Sequence, residues 1–401
     1  MRTLLARHIF RHYWEAFCIA AALGEWSLAC WALGISVGPL AHLGAIAGLF
    51  ALNRLAAVAY EREDDQAPVL HRTGGVVLAA GLVASGGTGG LVAGALAWML
   101  VVRAGGLSAE AGILALVPPV TADPVYAAFA MLGIAGGMGL VVDGYLRGYR
   151  RLAVTRLEVT LPHLPPALDG LRVVHVSDLH LGPLAHRATV REGLELANAE
   201  VPDLVVVTGD IVDSPHTDLD SWLPELDRLS ARLGVFAILG NHDGRLGHAE
   251  VAAGIHTHTR WRVLRDETAL VDVDGERLAL VGLEDRPVPW ESVELPALAA
   301  TLPPNVATIL LAHHPKVFHA ARAAGLPLTL AGHTHGGQLA VPGLPRFNAA
   351  RVLMTPLDAG TFVENGCVLH VSRGLGTSGQ RLRIGVPREI TVITLRAPAD
   401  G

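Results

Sequence analysis

Apolar residues are distributed unevenly along this chain, and that unevenness limits its architecture more than any other feature. Before Arg147 the sequence runs in long Ala, Leu, Gly and Val tracts, whereas after it short apolar runs alternate with polar turns. A helix needs about 20 apolar residues to cross a bilayer. Four stretches qualify, at 16–36, 40–60, 75–102 and 125–145. Gly86, Gly87, Gly89 and Gly90 could fold the third into a re-entrant hairpin, and 111–120 is short and ends in Pro118-Pro119. The pattern predicts an all-α transmembrane domain of about four spans over 1–150, a linker over 151–170 and a second domain over 171–397. A cleavable signal peptide is the competing reading of the first stretch. Further apolar stretches follow it and no small-residue cleavage site stands near Ser36, which argues against removal.

Basic residues flanking the spans set the expected orientation. Arg2, Arg7 and Arg11 precede the first, Arg62 and Arg72 separate the second from the third, and Arg147, Arg150 and Arg151 follow the fourth. With four spans these arginines share one side, and only Arg103, at a span end, falls elsewhere. The positive-inside rule then predicts a multi-pass protein of the bilayer with its amino terminus and second domain in the cytoplasm. Arg54 and Asp143 lie close enough to span ends to snorkel. Glu25 has no such explanation, and an intramembrane charge can mark a sensor or transport pathway.

A formal net charge of −6, with no Lys/Arg block beyond Arg147, Arg150 and Arg151, offers no basic face for duplex nucleic acid. Cys18, Cys30 and Cys367 form no disulfide framework. On one helix Cys18 and Cys30 would stand roughly 18 Å apart, too far to bridge.

Past the linker, apolar runs at 171–177, 204–208, 235–239, 278–282, 308–312 and 328–331 read as buried strands, with helical patterns at 189–199 and 219–233 between them. Alternating strands and helices predict an α/β fold whose sheet is covered on both faces, with functional residues in the loops at strand ends. The polar clusters stand at those ends. They are Ser177-Asp178-Leu179-His180, Thr208-Gly209-Asp210, Gly240-Asn241-His242-Asp243, His313-His314 and Gly332-His333-Thr334-His335-Gly336-Gly337-Gln338. Any one alone would read as a turn or a helix cap. Five in succession, each after an apolar run, supply the oxygen and nitrogen ligands that a pair of divalent ions requires.

This ordered set resembles the calcineurin-like metallophosphoesterase family, whose Asp-x-His, Gly-Asp, Gly-Asn-His-Asp/Glu, His and Gly-His-x-His pattern it matches in order. The resemblance runs from about Leu171 to Leu395, and its tail, Ser372 to Gly379, looks like the branch holding membrane-associated bacterial members. It implies a β-sandwich flanked by helices and two divalent ions, Mn, Fe or Zn. Asp178, His180 and His335 would hold the first ion and Asn241, His313 and His333 the second, with Asp210 bridging. A hydroxide shared by the ions would attack a phosphomonoester, phosphodiester or pyrophosphate. His242 would stabilise charge or protonate the leaving group, with Asp243 orienting it. A lipid-linked or small-molecule substrate and a bacterial inner or plasma membrane follow by analogy.

Other polar residues draw plainer readings. His256 and His258 mimic a ligand pair but follow a helix and match no motif, and His314 takes a variable position suited to packing or substrate contact. Asp213, Asp218 and Asp220 are read as a solvated loop and helix start. Gln338, Arg381 and Arg383 are candidate phosphate contacts. Two other functions compete with hydrolysis of a membrane-linked substrate. A non-catalytic metal-binding scaffold is disfavoured by the complete ligand set, and a nucleotide or nucleic-acid phosphodiesterase by the acidic balance.

Overall fold

Every residue of Leu204–Thr208 is buried, which requires cover on both faces of the sheet that it enters. The computed structural model describes residues 13–33, 39–61, scattered positions between 77 and 92, 124–182, 185–285 and 294–398. The chain forms two units, Met1–Leu146 and Arg147–Gly401.

Within the first unit lie helices α1 (Tyr13–Leu33), α2 (Pro39–Glu61) and α3 (Pro124–Leu146). Among the described residues two helical segments, Pro39–Ala56 and Ala127–Arg150, are long and apolar enough to cross a membrane, with mean hydropathy of 1.2 and 1.6. Four spans were expected; most of 75–102, all of 111–120 and the flanking Arg2, Arg7, Arg11, Arg62, Arg72 and Arg103 fall outside the described residues. Leu40, Leu43, Leu55 and Leu132 are exposed, unlike the core face of a water-soluble bundle. Glu25 acquires a partner: Asn53 Nδ2 donates to its Oε2 at 3.0 Å, joining α1 to α2.

The second unit runs β1 (Leu152–Thr160), β2 (Arg172–Val176), α4 (Arg187–Ala199), β3 (Leu204–Thr208), α5 (Leu219–Leu226), β4 (Val235–Ile238), α6 (Asp243–Leu246), α7 (His248–His258), β5 (Arg262–Val263), β6 (Glu267–Val273) and β7 (Glu276–Gly282). It continues through α8 (Glu294–Ala300), β8 (Ala307–Leu311), α9 (Phe318–Ala323), β9 (Leu328–Ala331), β10 (Ala340–Val341), β11 (Leu344–Asn348), α10 (Ala349–Leu353), β12 (Gly360–Glu364), β13 (Cys367–Val371) and β14 (Arg388–Arg396). Two six-stranded sheets result, in the orders β1-β14-β2-β3-β4-β5 and β12-β13-β9-β8-β7-β6, beside the small β10-β11 hairpin.

Alternation along each strand assigns its two faces. Val173, Leu204, Val206 and Ile238 meet Leu280, Ile309, Leu311 and Leu330 in the core between the sheets. The opposite faces of β2 to β4, with Val174, Val176, Val205 and Val207, pack on Leu194, Leu223, Val251 and Ile255 of α4, α5 and α7. Val281 and Leu310 pack on Leu295 and Ala321 of α8 and α9. The fold is therefore a β-sandwich with helices outside both sheets, in which each fully buried Val or Leu contributes about 1.5–3 kcal/mol.

Two expectations change. The stretch 151–170, read as a linker, contains β1, which pairs in parallel with β14 along nine residues from Leu152↔Arg388 to Thr160↔Arg396. Thr155, Arg156 and Glu158 interrupt its apolar residues, so the sequence lacks a continuous apolar run. The helix expected over 219–233 ends at Leu226, two residues past Pro224, and turns carry the chain to Gly234 at φ +99°.

A candidate two-ion metal centre

The carboxyl ends of β2, β3, β4, β8 and β9 converge, and the loops that leave them carry the clustered polar residues. Asp178, His180, Asp210, His333 and His335 all have positive φ, between 47° and 72°. Side chains other than glycine accept that conformation at on the order of 1 kcal/mol each. Five such residues in one place mark a site whose backbone is set by something other than local preference. Close packing adds to the constraint: a Cβ on Gly240 would lie 2.3 Å from Asp210 Oδ1, and one on Gly332 would lie 2.3 Å from Asp178 Oδ2.

Two donor sets result, and Asp210 faces both. Ligand-capable atoms of Asp178, His180 and His335 lie within 4.8 Å of one another, and so do those of Asp210, His313 and His333. His180 Nε2 is 2.9 Å from His335 Nε2 and 3.6 Å from Asp210 Oδ2, while His335 Nε2 is 3.4 Å from Asp178 Oδ1. On the other side His313 Nε2 lies 3.2 Å from Asp210 Oδ2. Asn241 precedes His242, whose backbone N–H donates to Asp210 Oδ1 at 2.8 Å.

Two buried atoms are placed in a manner that suits cations: Asn241 Oδ1 has no hydrogen-bond partner, and His313 Nε2 has an ion-pair approach to Asp210 Oδ2 but no hydrogen bond of good geometry. His313 Nδ1 donates to the Thr208 carbonyl at 2.8 Å, which leaves its Nε2 lone pair for a ligand. His180 is oriented likewise, its Nδ1 lying 2.9 Å from Asp213 Oδ1. Electrostatics agree. Burial alone would raise Asp210, yet His313, His242 and His180 hold it well below the usual carboxylate range. Burial would lower His313, but Asp210 and Asp178 push it up to about 10. Burial keeps His333 and His335 neutral. A buried pair of carboxylates that draws imidazoles toward protonation is a site short of positive charge, and the Asp, Asn and His donors suit Mn, Fe or Zn.

The family model for calcineurin-like phosphoesterases matches residues 171–337. An uncharacterized metallophosphoesterase of Bacillus subtilis, YkuE, is 30% identical over 279 residues, covering 66% of this chain and 94% of that protein. The chain belongs to the calcineurin-like metallophosphoesterases. Members of that family normally use two divalent ions. The metallophosphoesterase is also 30% identical over 272 residues to a cow protein named "Transmembrane protein with metallophosphoesterase domain", covering 64% of this chain and 60% of that one. It thus spans less than two thirds of that relative. A solved dimetal phosphatase from Danio rerio aligns at 13% identity and TM-score 0.34, over 52% of this chain and 88% of its own, too distant to support comparison of sites.

The remaining candidates fall in distinct places around this centre. His242 is buried beside His180, ring centroids 4.6 Å apart and nearly perpendicular, and an atom of its ring stands within 4.8 Å of His180 and Asp210. Its Nδ1 lies 3.0 Å from Asp213 Oδ1. Asp243, expected to orient His242, instead accepts backbone N–H groups of Val212 and Gly240, both at 2.8 Å. Burial and Asp210 push Asp243 up to about 6. Asp213 thus takes the orienting position, and it is buried where a solvated loop was expected. Burial would raise it, but its bonds to His180 and His242 hold it far below the usual range. Its spacing, three residues beyond Asp210 across the apolar pair Ile211-Val212, was the available signal.

Gln338 and Arg383 do not face open space. Gln338 exchanges two hydrogen bonds with the Ser378 backbone, at 2.9 and 2.8 Å. Buried Arg383 donates to the carbonyls of Arg373 at 2.8 Å and Gly376 at 2.6 Å, and burial brings it down to about 9. Together they fix the loop whose Gly376 N–H donates to the Asp178 carbonyl at 2.6 Å. Arg381 lines a cleft beside His180 with Tyr149, His186 and Thr377. His314 tilts against His333 at a ring distance of 3.7 Å. Asp218 caps α5 through Ser221 N, while His258 pairs with exposed Asp220 at 2.9 Å.

Proposed function

We propose that this metallophosphoesterase is attached to a membrane and hydrolyses a phosphomonoester, phosphodiester or pyrophosphate, with a lipid-linked substrate favoured. The observation that carries the two-ion reading is Asp210, whose carboxylate faces both donor sets. In this reading Asp178, His180 and His335 would hold one ion and Asn241, His313 and His333 the other, with Asp210 placed to serve both. When bound, such ions acidify a water and neutralise phosphate oxygens. His242, turned by Asp213, donates a proton to the departing oxygen or offsets charge on the phosphoryl group. Arg381 stands in the adjoining cleft as a contact for the rest of the substrate.

Membrane attachment is supported by the two long apolar helical segments and by the transmembrane relative. The arginines that follow α3 favour a cytoplasmic second unit. Detergent-purified protein supplied with Mn²⁺, assayed on phosphomonoester, phosphodiester, pyrophosphate and phospholipid panels, tests substrate class. Asp210→Ala should lose both ions and turnover together. Two ions retained with near-normal turnover in that variant would overturn the assignment.

A further inference from the structure

Of the large apolar side chains exposed in the second unit, most lie in one short stretch. Leu339, Val341, Leu344, Phe347, Val352 and Leu353 are exposed, while Val201, Leu270 and Val363 are scattered elsewhere among the described residues. The stretch forms the β10-β11 hairpin and α10. Its turn is built on Pro342 and Gly343 at φ +80°, a pairing that suits a tight type II turn, so the apolar tip is pre-shaped. Between Gln338 and Asp358 the sequence contains Arg346 and Arg351 and no acidic residue; Arg351 pairs with Asp358 at 2.6 Å, while Arg346 is exposed in the hairpin. Exposed apolar residues grouped around an exposed arginine are the composition of a surface that enters the headgroup region of an anionic bilayer.

The hairpin leaves directly from the ligand loop. Leu339 N–H donates to the Gly337 carbonyl at 2.6 Å, and Ala349 N–H to the Leu339 carbonyl at 3.0 Å. A Cβ on Gly337 would lie 2.6 Å from Ala350 N. No slack separates His335 from the hairpin. The second unit also begins at Arg147, immediately after the apolar helix α3, so lipid is the apolar partner that chain connectivity keeps within reach.

We infer that the 339–353 hairpin and helix are a bilayer-contact surface that seats the metal centre next to anionic lipid headgroups. This rests on the membrane attachment proposed above and adds a second, independent contact. A photoreactive benzoylphenylalanine at Phe347 tests it in the full chain reconstituted into phosphatidylcholine vesicles with or without phosphatidylglycerol. Flotation after an alkaline wash is read in parallel. The expected result is a lipid adduct at position 347, none from the same probe at Val201, and about five-fold more adduct when phosphatidylglycerol is present. Arg346→Glu should remove that gain. A chain that floats with the vesicles but gives no lipid adduct at 347 overturns the contact surface alone. Adducts to a second copy or to another polypeptide overturn it in favour of a protein partner. A chain that fails to float overturns both this inference and the membrane attachment.

Discussion

His180 Nε2 and His335 Nε2 stand 2.9 Å apart in a buried space. Asp213 takes the other nitrogen of His180, so the His180 lone pair points toward His335. The pair can share one proton or turn both lone pairs to a cation. Carboxylate oxygens of Asp178 and Asp210 lie 3.4 to 3.6 Å away, and a divalent ion satisfies all four groups where a proton satisfies two.

Metal should therefore stabilise the fold as well as support turnover. At a free concentration about 100-fold above the dissociation constant, Mn²⁺ should add about 2.7 kcal/mol. Differential scanning fluorimetry should show an unfolding midpoint at least about 5 °C higher with metal than with chelator. Coincident curves would mean that the donor sets do not hold ions. The same measurement on Asp210→Ala should show no response to metal.

Gly240→Ala should damage the site through one added carbon. The new Cβ would lie 2.3 Å from Asp210 Oδ1 and 2.6 Å from Asp210 N, distances that neither the carboxylate nor the backbone tolerates. Bound metal should fall at least about 10-fold while the circular dichroism spectrum stays that of the parent. Unchanged metal content would show that Asp210 can move without losing its position between the two sets.

How much of this was legible in the sequence depended on whether a feature was local. The ends of β2, β3, β4, β8 and β9 were visible because each apolar run stops at a polar residue that water or a ligand must satisfy. That the five ends meet was carried by the ordered motif set, since nothing local in His313 or His335 specifies a shared point. Asp213 left only its spacing from Asp210 as a signal, because one aspartate in a loop looks like a turn residue and its partners His180 and His242 lie 33 and 29 residues away in sequence. Strand β1 was missed because Thr155, Arg156 and Glu158 interrupt its apolar residues and the strand it pairs with, β14, lies at the other end of the domain. Gln338 and Arg383 looked like phosphate contacts because an arginine that holds backbone carbonyls has the same letter as one that holds phosphate.

Glu389 supplies a pH dependence through a buried carboxylate that is not among the candidate ligands. Burial opposes its ionisation, but Arg373, His370 and Thr155 outweigh burial and lower it; Arg373 Nη2 reaches its Oε1 at 2.7 Å. A carboxylate with a depressed folded-state pKa contributes stability that is fully present above its unfolded pKa and is lost as pH falls through the folded one. Glu389→Gln should cost about 3 kcal/mol at neutral pH. The gap between the parent and variant unfolding midpoints should narrow as pH drops below the usual glutamate range. A gap independent of pH would mean that the variant acts through packing alone.

His242 and Asp213 separate proton delivery from metal binding. His242→Ala should keep its metal content and lose about 100-fold to 10,000-fold in turnover. The loss should shrink with a nitrophenolate leaving group, which needs little protonation, and stay constant if His242 instead offsets charge on the phosphoryl oxygens. Asp213→Asn touches both His180 and His242, so it should weaken ion binding by about 10-fold to 100-fold and lower turnover as well. Excess metal should repair the first defect and leave the second, bringing Asp213→Asn toward the activity of His242→Ala and not to that of the parent. Full recovery in excess metal would confine Asp213 to His180. Loss of an ion in His242→Ala would make His242 a ligand, a position that its reach to His180 and Asp210 allows, and the proton would then have to come from elsewhere in the site.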